Sequence, residues 1–272
     1  MALKLMFITN KPEIASIAEK SGVDWIFVDL EVEGKRERQV HTDGFISDHK
    51  ITDVSIIGRE ISKAELVVRI NPFSGNTKRE VEKVIRDGAD IVMLPYFKNI
   101  DEISNFIDYV DSKAKVCLLL ETKESFEMVD EIIKLDGIDY IHVGLNDLHL
   151  SYDMDFMFEP LSNGMMDQIS EKIRDAGITF GFGGIAKIGS GDLKAEHILS
   201  EHIRLKSSMV ILSRSFFSQD KLSAENADDF SKEVEKLREY ELDLMNADYS
   251  TLLQNKEILI DSVEKIVKRK KQ

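Results

Sequence analysis

Two apolar runs of this sequence each end in an acid. One is Val116-Cys117-Leu118-Leu119-Leu120-Glu121 and the other is Tyr140-Ile141-His142-Val143-Gly144-Leu145-Asn146-Asp147, while a third run ends in Arg69. A carboxylate at the tip of an apolar strand is costly to desolvate, so it needs a cation or a donor. Two such acids on neighbouring strands suggest a divalent ion. Held by two carboxylates, Mg²⁺ or Mn²⁺ keeps most of its octahedral positions for water and substrate oxygens, the arrangement of a Lewis acid. Arg69 suits a substrate carboxylate or the oxyanion of an enolate. Simpler roles stay open: Glu121 and Asp147 as helix caps, and Arg69 as the ion-pair partner of Asp29 or Glu31.

These residues need a frame that brings them together. Short β-rich runs recur at residues 3–9, 24–30, 65–70, 91–95, 115–120, 140–145, 179–183 and 209–213, and they are continuously apolar rather than alternating, as strands covered on both faces require. Between them lie amphipathic stretches such as Val81, Val84 and Ile85, or Ile103, Phe106, Ile107 and Val110. Gly22, Gly88, Gly137 and Gly177 follow the last periodic residues as left-handed caps. Repeated β-α units predict an α/β fold, a parallel (β/α)₈ TIM barrel, over residues 1–215. An open doubly wound sheet would carry a glycine-rich loop after its first strand, where this chain has Thr9-Asn10-Lys11-Pro12. In a barrel the strand C-terminal ends share one rim. That rim gathers Asp29, Glu31, Arg69, Asn71, Glu121, Asn146 and Asp147, with Asn71, Gly144 and Asn146 as candidate substrate contacts.

The length of 272 residues suits one barrel of roughly 250 residues plus an extension. Residues 216–272 predict additional C-terminal helices, one marked by Phe230, Val234, Leu237 and Leu244 and the other by Leu253, Ile258, Val263, Ile266 and Val267 after a Ser250 cap. Their apolar stripes cover the barrel or a second subunit, so a homo-oligomer is expected. A formal charge of −14 repels phosphate backbones and anionic membranes. No nucleic acid or membrane partner is expected. The single cysteine, Cys117, lies inside an apolar run, the N-terminus reads as a strand rather than a leader, and no run is long enough to span a bilayer. A cytoplasmic protein is expected.

Several other groups are weighed on the same rim. Residues 31–51 carry Lys35, Arg36, Arg38, Gln39, His41 and His49, either a solvated loop or a set of donors closing over an anion. Gly181-Phe182-Gly183-Gly184 and Ser213-Arg214-Ser215 suit a phosphate or second carboxylate, with Arg214 as the cation, or simply tight packing at the mouth. His142 reads as a satisfied interior histidine.

The segments Asp24-Trp25-Ile26-Phe27-Val28-Asp29-Leu30-Glu31, Val67-Val68-Arg69-Ile70-Asn71-Pro72, Asp87-Gly88-Ala89-Asp90-Ile91-Val92-Met93-Leu94-Pro95, Leu120-Glu121-Thr122 and Gly137 through Leu148 occur in an order that resembles the HpcH/HpaI aldolase and citrate lyase β-subunit family, over about residues 10–215. The resemblance implies a metal-dependent barrel acting on a carbon-carbon bond of a 2-oxo acid through an enolate. It implies Glu121 and Asp147 as ligands of Mg²⁺ or Mn²⁺, Arg69 as the enolate-stabilising cation, and a trimer or hexamer. It also points to Asp87, which would reach a site only across a subunit boundary. The chain departs from the pyruvate-aldolase branch at Val32, where that branch has a proton-transferring histidine. A base must then come from Glu31, Glu33, His41, His49 or a metal-bound water. The rival readings are a citrate-lyase-like acyl-CoA lyase, an isomerase or decarboxylase built on the same enolate, and a barrel that binds without catalysis.

Overall fold

The computed structural model describes residues 2–32, 48–218 and 221–271. Its strands are β1 (Lys4–Ile8), β2 (Trp25–Asp29), β3 (Glu65–Arg69), β4 (Ile91–Leu94), β5 (Lys115–Leu120), β6 (Tyr140–Val143), β7 (Thr179–Phe182), β8 (Gly184–Ile185) and β9 (Met209–Leu212). All pair in parallel, in the order β7-β6-β5-β4-β3-β2-β1-β9-β8. The two ends of that order are consecutive pieces of one stretch, broken at Gly183, whose φ is 53°. Its first half bonds to β6 and its second half to β9, while Ser208 N donates to Phe180 O at 2.8 Å. The sheet therefore wraps into a nearly closed barrel, as expected, with the predicted seventh strand divided in two.

The apolar runs follow from two-sided burial. Met6, Trp25, Phe27, Val67, Ile91, Met93, Cys117, Leu119 and Met209 form an inner cluster, while alternate residues such as Ile26, Val28, Leu66, Val68, Val92 and Leu118 join the larger layer under the helices. One interior position has no room for a side chain. A Cβ on Gly181 would lie 2.1 Å from Met209 Cγ and 2.2 Å from the Met209 carbonyl oxygen.

The helices on the outer side are α1 (Pro12–Lys20), α2 (Ile51–Glu60), α3 (Thr77–Arg86), α4 (Ile100–Val110), α5 (Lys123–Glu127), α6 (Val129–Ile132), α7 (Leu145–Ser151), α8 (Glu159–Ser162), α9 (Met165–Asp175), α10 (Ala195–Arg204), α11 (Ala227–Asn246) and α12 (Tyr249–Lys270). Gly22, Gly88 and Gly177 take positive φ just past helix ends, the role assigned to them, whereas Gly137, also at positive φ, sits in a turn several residues beyond the Ile132 end of α6. Helix α11 is bolted to β1. The Phe230 ring meets Phe7 edge-on at 5.2 Å, the Glu241 carboxylate accepts from Leu3 N, and Arg238 donates to Leu3 O at 2.7 Å and Asp24 at 2.8 Å.

Helix α12 lies over α10, with Asn255 Nδ2 donating to Ser200 Oγ and Lys256 paired with Asp167. Two details of this helix correct the sequence reading. Its cap is Asp248, which accepts from Thr251 N at 2.8 Å, and Ser250 lies within the helix. Its buried stripe is Leu252, Leu259, Val263 and Ile266, whereas Leu253 and Ile258 are 42% and 49% exposed. No helix among the described residues is long and apolar enough to cross a membrane.

Candidate active site

Strand β2 carries its alternation outward from Trp25 and Phe27 to Asp29, so this acid faces the barrel interior at the C-terminal rim. Asp29 and Glu31 are 4% and 2% exposed. From β3, Arg69 meets them both. Its Nε and Nη2 donate to the two Asp29 oxygens at 2.8 Å each, and Nη1 lies 3.2 Å from Glu31 Oε2. Burial disfavours the guanidinium charge, but Asp29, Glu31 and Glu121 outweigh that cost and raise its pKa. The ion-pair role of Arg69 is thus realised, and because Arg69 and Glu121 continue the inward positions of Val67 and Leu119, both face the barrel interior. Phe27 lies under the guanidinium, 5.7 Å from Cζ.

The end of β2 is held in turn. Asp29 N donates to His49 Nδ1 at 2.9 Å and Glu31 N to Asp29 Oδ1 at 3.1 Å. A ring nitrogen that accepts a backbone N–H places the proton of a neutral ring on Nε2. Asn71 links two elements: its Oδ1 accepts from Val32 N at 3.0 Å and its Nδ2 donates to Glu80 at 2.9 Å. Both polar ends of this expected substrate contact are engaged with the chain itself.

Glu121 follows β5 and is 2% exposed. It is not a helix cap, because Thr122 caps α5 by accepting from Ser125 N. Gly144, after β6, lets Glu121 pack against it: a Cβ there would fall 2.9 Å from Glu121 Cβ and 3.0 Å from Glu121 Oε2. Asp147 stands in the first turn of α7, half-buried and without a capping bond from its side chain. Asn146 beside it is exposed, and its carbonyl meets the His149 ring. Arg214 is exposed in the turn after β9.

Asp87 ends α3 at the opposite rim, as expected, paired with Lys83 at 2.6 Å, so one chain does not bring it to this site. Of the two readings of the glycines in and after β7, tight packing is the one seen: the Gly181 slot is filled by Met209 and the Gly183 slot by Leu145, 2.9 Å from a would-be Cβ. Glu33, Lys35, Arg36, Arg38, Gln39 and His41 lie outside the described residues.

A residue the sequence reading underrated is His142. It is interior, as expected, but neither ring nitrogen has a hydrogen-bond partner. Burial, opposed by the Gly183 backbone beside the ring and aided by the Arg69 charge, pushes its pKa down to about 4. His202, stacked on Phe182 with centroids 3.8 Å apart and bonded to Ser207, is pushed down to about 3, again mainly by burial. Both rings bind protons near pH 6.5 once unfolded. Below that pH the unfolded chain holds more protons, so stability should fall from about pH 6.5 towards pH 4 or below, each pKa unit of difference costing about 1.4 kcal/mol. Urea midpoints at pH 7, 6 and 5 should decline in that order. A midpoint unchanged over this range would contradict the neutral assignment of both rings.

The donor set fits a hard divalent cation. Glu121, directly after β5, and Asp147, in the first turn of the helix after the neighbouring strand β6, are both carboxylate oxygen donors of the kind such an ion takes. Two protein carboxylates would leave the other positions of such an ion to water and substrate.

The model of the HpcH/HpaI aldolase/citrate lyase family matches residues 4–203. Similar solved structures include an HpcH/HpaI aldolase/citrate lyase family protein from Burkholderia cenocepacia, at 16% identity over 88% of this chain and 94% of that one, with a TM-score of 0.60. An HpcH/HpaI aldolase from Desulfitobacterium hafniense is 15% identical over 78% and 86%, with a TM-score of 0.56. The citrate synthase SbnG is 17% identical over 85% and 94%, with a TM-score of 0.61. At such identities the likeness speaks for the fold. No curated protein matches the chain in sequence.

Proposed function

The chain belongs to the HpcH/HpaI aldolase/citrate lyase family, and from that premise we propose that it is a divalent-metal-dependent carbon-carbon lyase of the aldolase type, acting on a small 2-oxo acid through an enolate. Lyase-type chemistry is what the family supports. The metal and the substrate class are our reading of the site. The observation that carries it is the buried Glu121 carboxylate after β5, packed on Gly144 and acted on by the charge of Arg69, whose side chain Asp29 and Glu31 hold at the same rim.

Glu121 and Asp147 would hold Mg²⁺ or Mn²⁺, which when bound supplies Lewis acidity towards the oxygens of an oxo acid. Arg69 is positioned before the reaction begins. Asp29 and Glu31 fix its plane, so its remaining N–H groups can meet the oxygen that gains charge as a proton leaves the adjacent carbon, without reorganising in that step. Among the described residues, Glu31 is the acid nearest Val32, the position where an isopropyl group rules out proton transfer, and we assign it the proton-holding role. A low-dielectric wall of Phe27 and Leu119 strengthens each of these interactions. The reading includes a homo-oligomer, a trimer or hexamer, supported by Leu242, Met245 and Tyr249, which stand 58%, 42% and 62% exposed where α11 meets α12.

The test is metal-dependent deuterium exchange. Incubated with Mn²⁺ and pyruvate in D₂O, the protein should deuterate the pyruvate methyl group, and Glu121→Gln should slow this by about 100-fold or more. A wild-type protein that exchanges neither pyruvate nor any other short 2-oxo acid would end the lyase proposal.

A further inference from the structure

The ladder between β1 and β2 stops one rung short of the site. It includes Asp24 N donating to Leu5 O and Thr9 N donating to Phe27 O, each at 3.1 Å, with Met6, Phe7 and Ile8 in register with Trp25, Ile26 and Phe27. In a parallel pair the next rung would run from Asp29 N to the Thr9 carbonyl. The chain instead leaves the sheet after Ile8 and enters α1 at Pro12. Asp29 N donates to His49 Nδ1 at 2.9 Å, so a side chain stands where a strand carbonyl would.

The replacement is held from behind. His49 is 6% exposed and lies just ahead of α2. Asp53, in the first turn of that helix, accepts from Lys50 N at 2.8 Å and from Asn10 Nδ2 at 3.1 Å, which ties the segment to the loop after β1. Asp29 is the junction on which the ring acts. Its Oδ1 accepts from Arg69 Nε and Glu31 N, and its Oδ2 accepts from Arg69 Nη2. On the β3 side the strand tip is held by Leu30 N donating to Arg69 O at 2.8 Å, and on the β1 side by His49. A buried N–H deprived of its acceptor carries the full cost of its lost water, so without the ring the tip of β2 must shift and take the Asp29 carboxylate with it.

Resting on the lyase reading above, we infer that His49 is a positioning residue, whose Nδ1 completes the β1–β2 ladder, fixes the tip of β2 and, through Asp29, sets the plane in which the Arg69 guanidinium meets the substrate oxygen. Its role is geometric and moves no proton.

The test compares three variants in the Mn²⁺-dependent exchange of pyruvate. Asparagine sets an amide oxygen near the place of Nδ1, glutamine sets one near that of Nε2, and leucine sets none. His49→Asn should keep kcat within about threefold of wild type, whereas His49→Gln and His49→Leu should lose about tenfold or more in kcat with KM changed by less than about threefold. The ¹⁵N–¹H signal of Arg69 Nε, identified by its absence from Arg69→Lys, reads the same geometry without turnover. It should hold its wild-type position in His49→Asn and move in the other two. Recovery by glutamine rather than asparagine, or wild-type kcat in all three, overturns the inference, and the contrast of asparagine with glutamine carries the test even where His49→Leu does not fold. If the wild-type protein exchanges pyruvate while the Arg69 signal is the same in every variant, the positioning role is wrong and the lyase reading stands. If the signal follows the expected order without exchange, the positioning of Arg69 stands and the lyase reading falls. A fixed signal in a protein that also fails to exchange overturns both.

Discussion

Arg69→Ala should lose about 10²–10³ in the kcat/KM of metal-dependent pyruvate exchange and should also unfold at a denaturant midpoint equivalent to about 3–5 kcal/mol less stability. Both losses have one cause. The guanidinium forms a two-pronged bond to Asp29 and a third contact to Glu31, both almost fully buried, and alanine withdraws that charge from two acids in a low-dielectric interior. Arg69→Lys separates the two effects. An ammonium keeps the charge near the acids but has no planar fork, so it cannot face Asp29 and a substrate oxygen at once. It should recover most of the stability and little of the activity. Chemical denaturation beside the exchange assay checks both, and an Arg69→Ala protein that keeps wild-type exchange would remove Arg69 from the reaction.

Gly181→Ala is the second large effect, and it acts on the frame rather than on the chemistry. The added Cβ meets the Met209 carbonyl oxygen at 2.2 Å, and a backbone oxygen cannot rotate away as a side chain does. Strands β7 and β9 must part where the barrel closes. The cost should reach the upper end of overpacking, about 3 kcal/mol or more, and calorimetry should show a fall in Tm. Gly177→Ala provides the contrast: no atom lies within 4 Å of its Cβ, so only the positive φ of 76° is strained there. Its smaller loss, about 1 kcal/mol, would confirm that contact rather than backbone conformation sets the cost at Gly181. Equal losses at both positions would contradict that.

The frame was readable because two-sided burial leaves a direct mark. A strand packed inside and out must be apolar throughout, and each of the eight runs appears as a strand within a residue or two of its expected ends. The break at Gly183 was not readable: its φ is positive, and the side chain that leaves no room for a Cβ there, Leu145, comes from α7, distant in sequence. Helix α12 shows a second limit. Its sequence is apolar on two faces, and only contact with α10 selects Leu252 and Leu259 over Leu253 and Ile258.

At the site, acids at strand ends announced themselves by their cost. The same argument left open whether Arg69 was a structural or a chemical cation, and its geometry makes it structural towards Asp29 and Glu31 without consuming every N–H. His142 is interior, as its place in an apolar strand implied, and how far its ring is satisfied depends on neighbours from other strands that the sequence does not show. Asp87 lies at the far rim, as its place at the end of a helix implied, and Lys83 pairs with it there.

The central claim is that Glu121 and Asp147 grip one hard cation beside Arg69. Anomalous diffraction from crystals grown with Mn²⁺ tests this most directly. A single strong manganese peak within bonding distance of both carboxylates, absent from Glu121→Gln crystals, is the predicted result. A peak elsewhere, or none at these two residues with Mn²⁺ in excess, would contradict it.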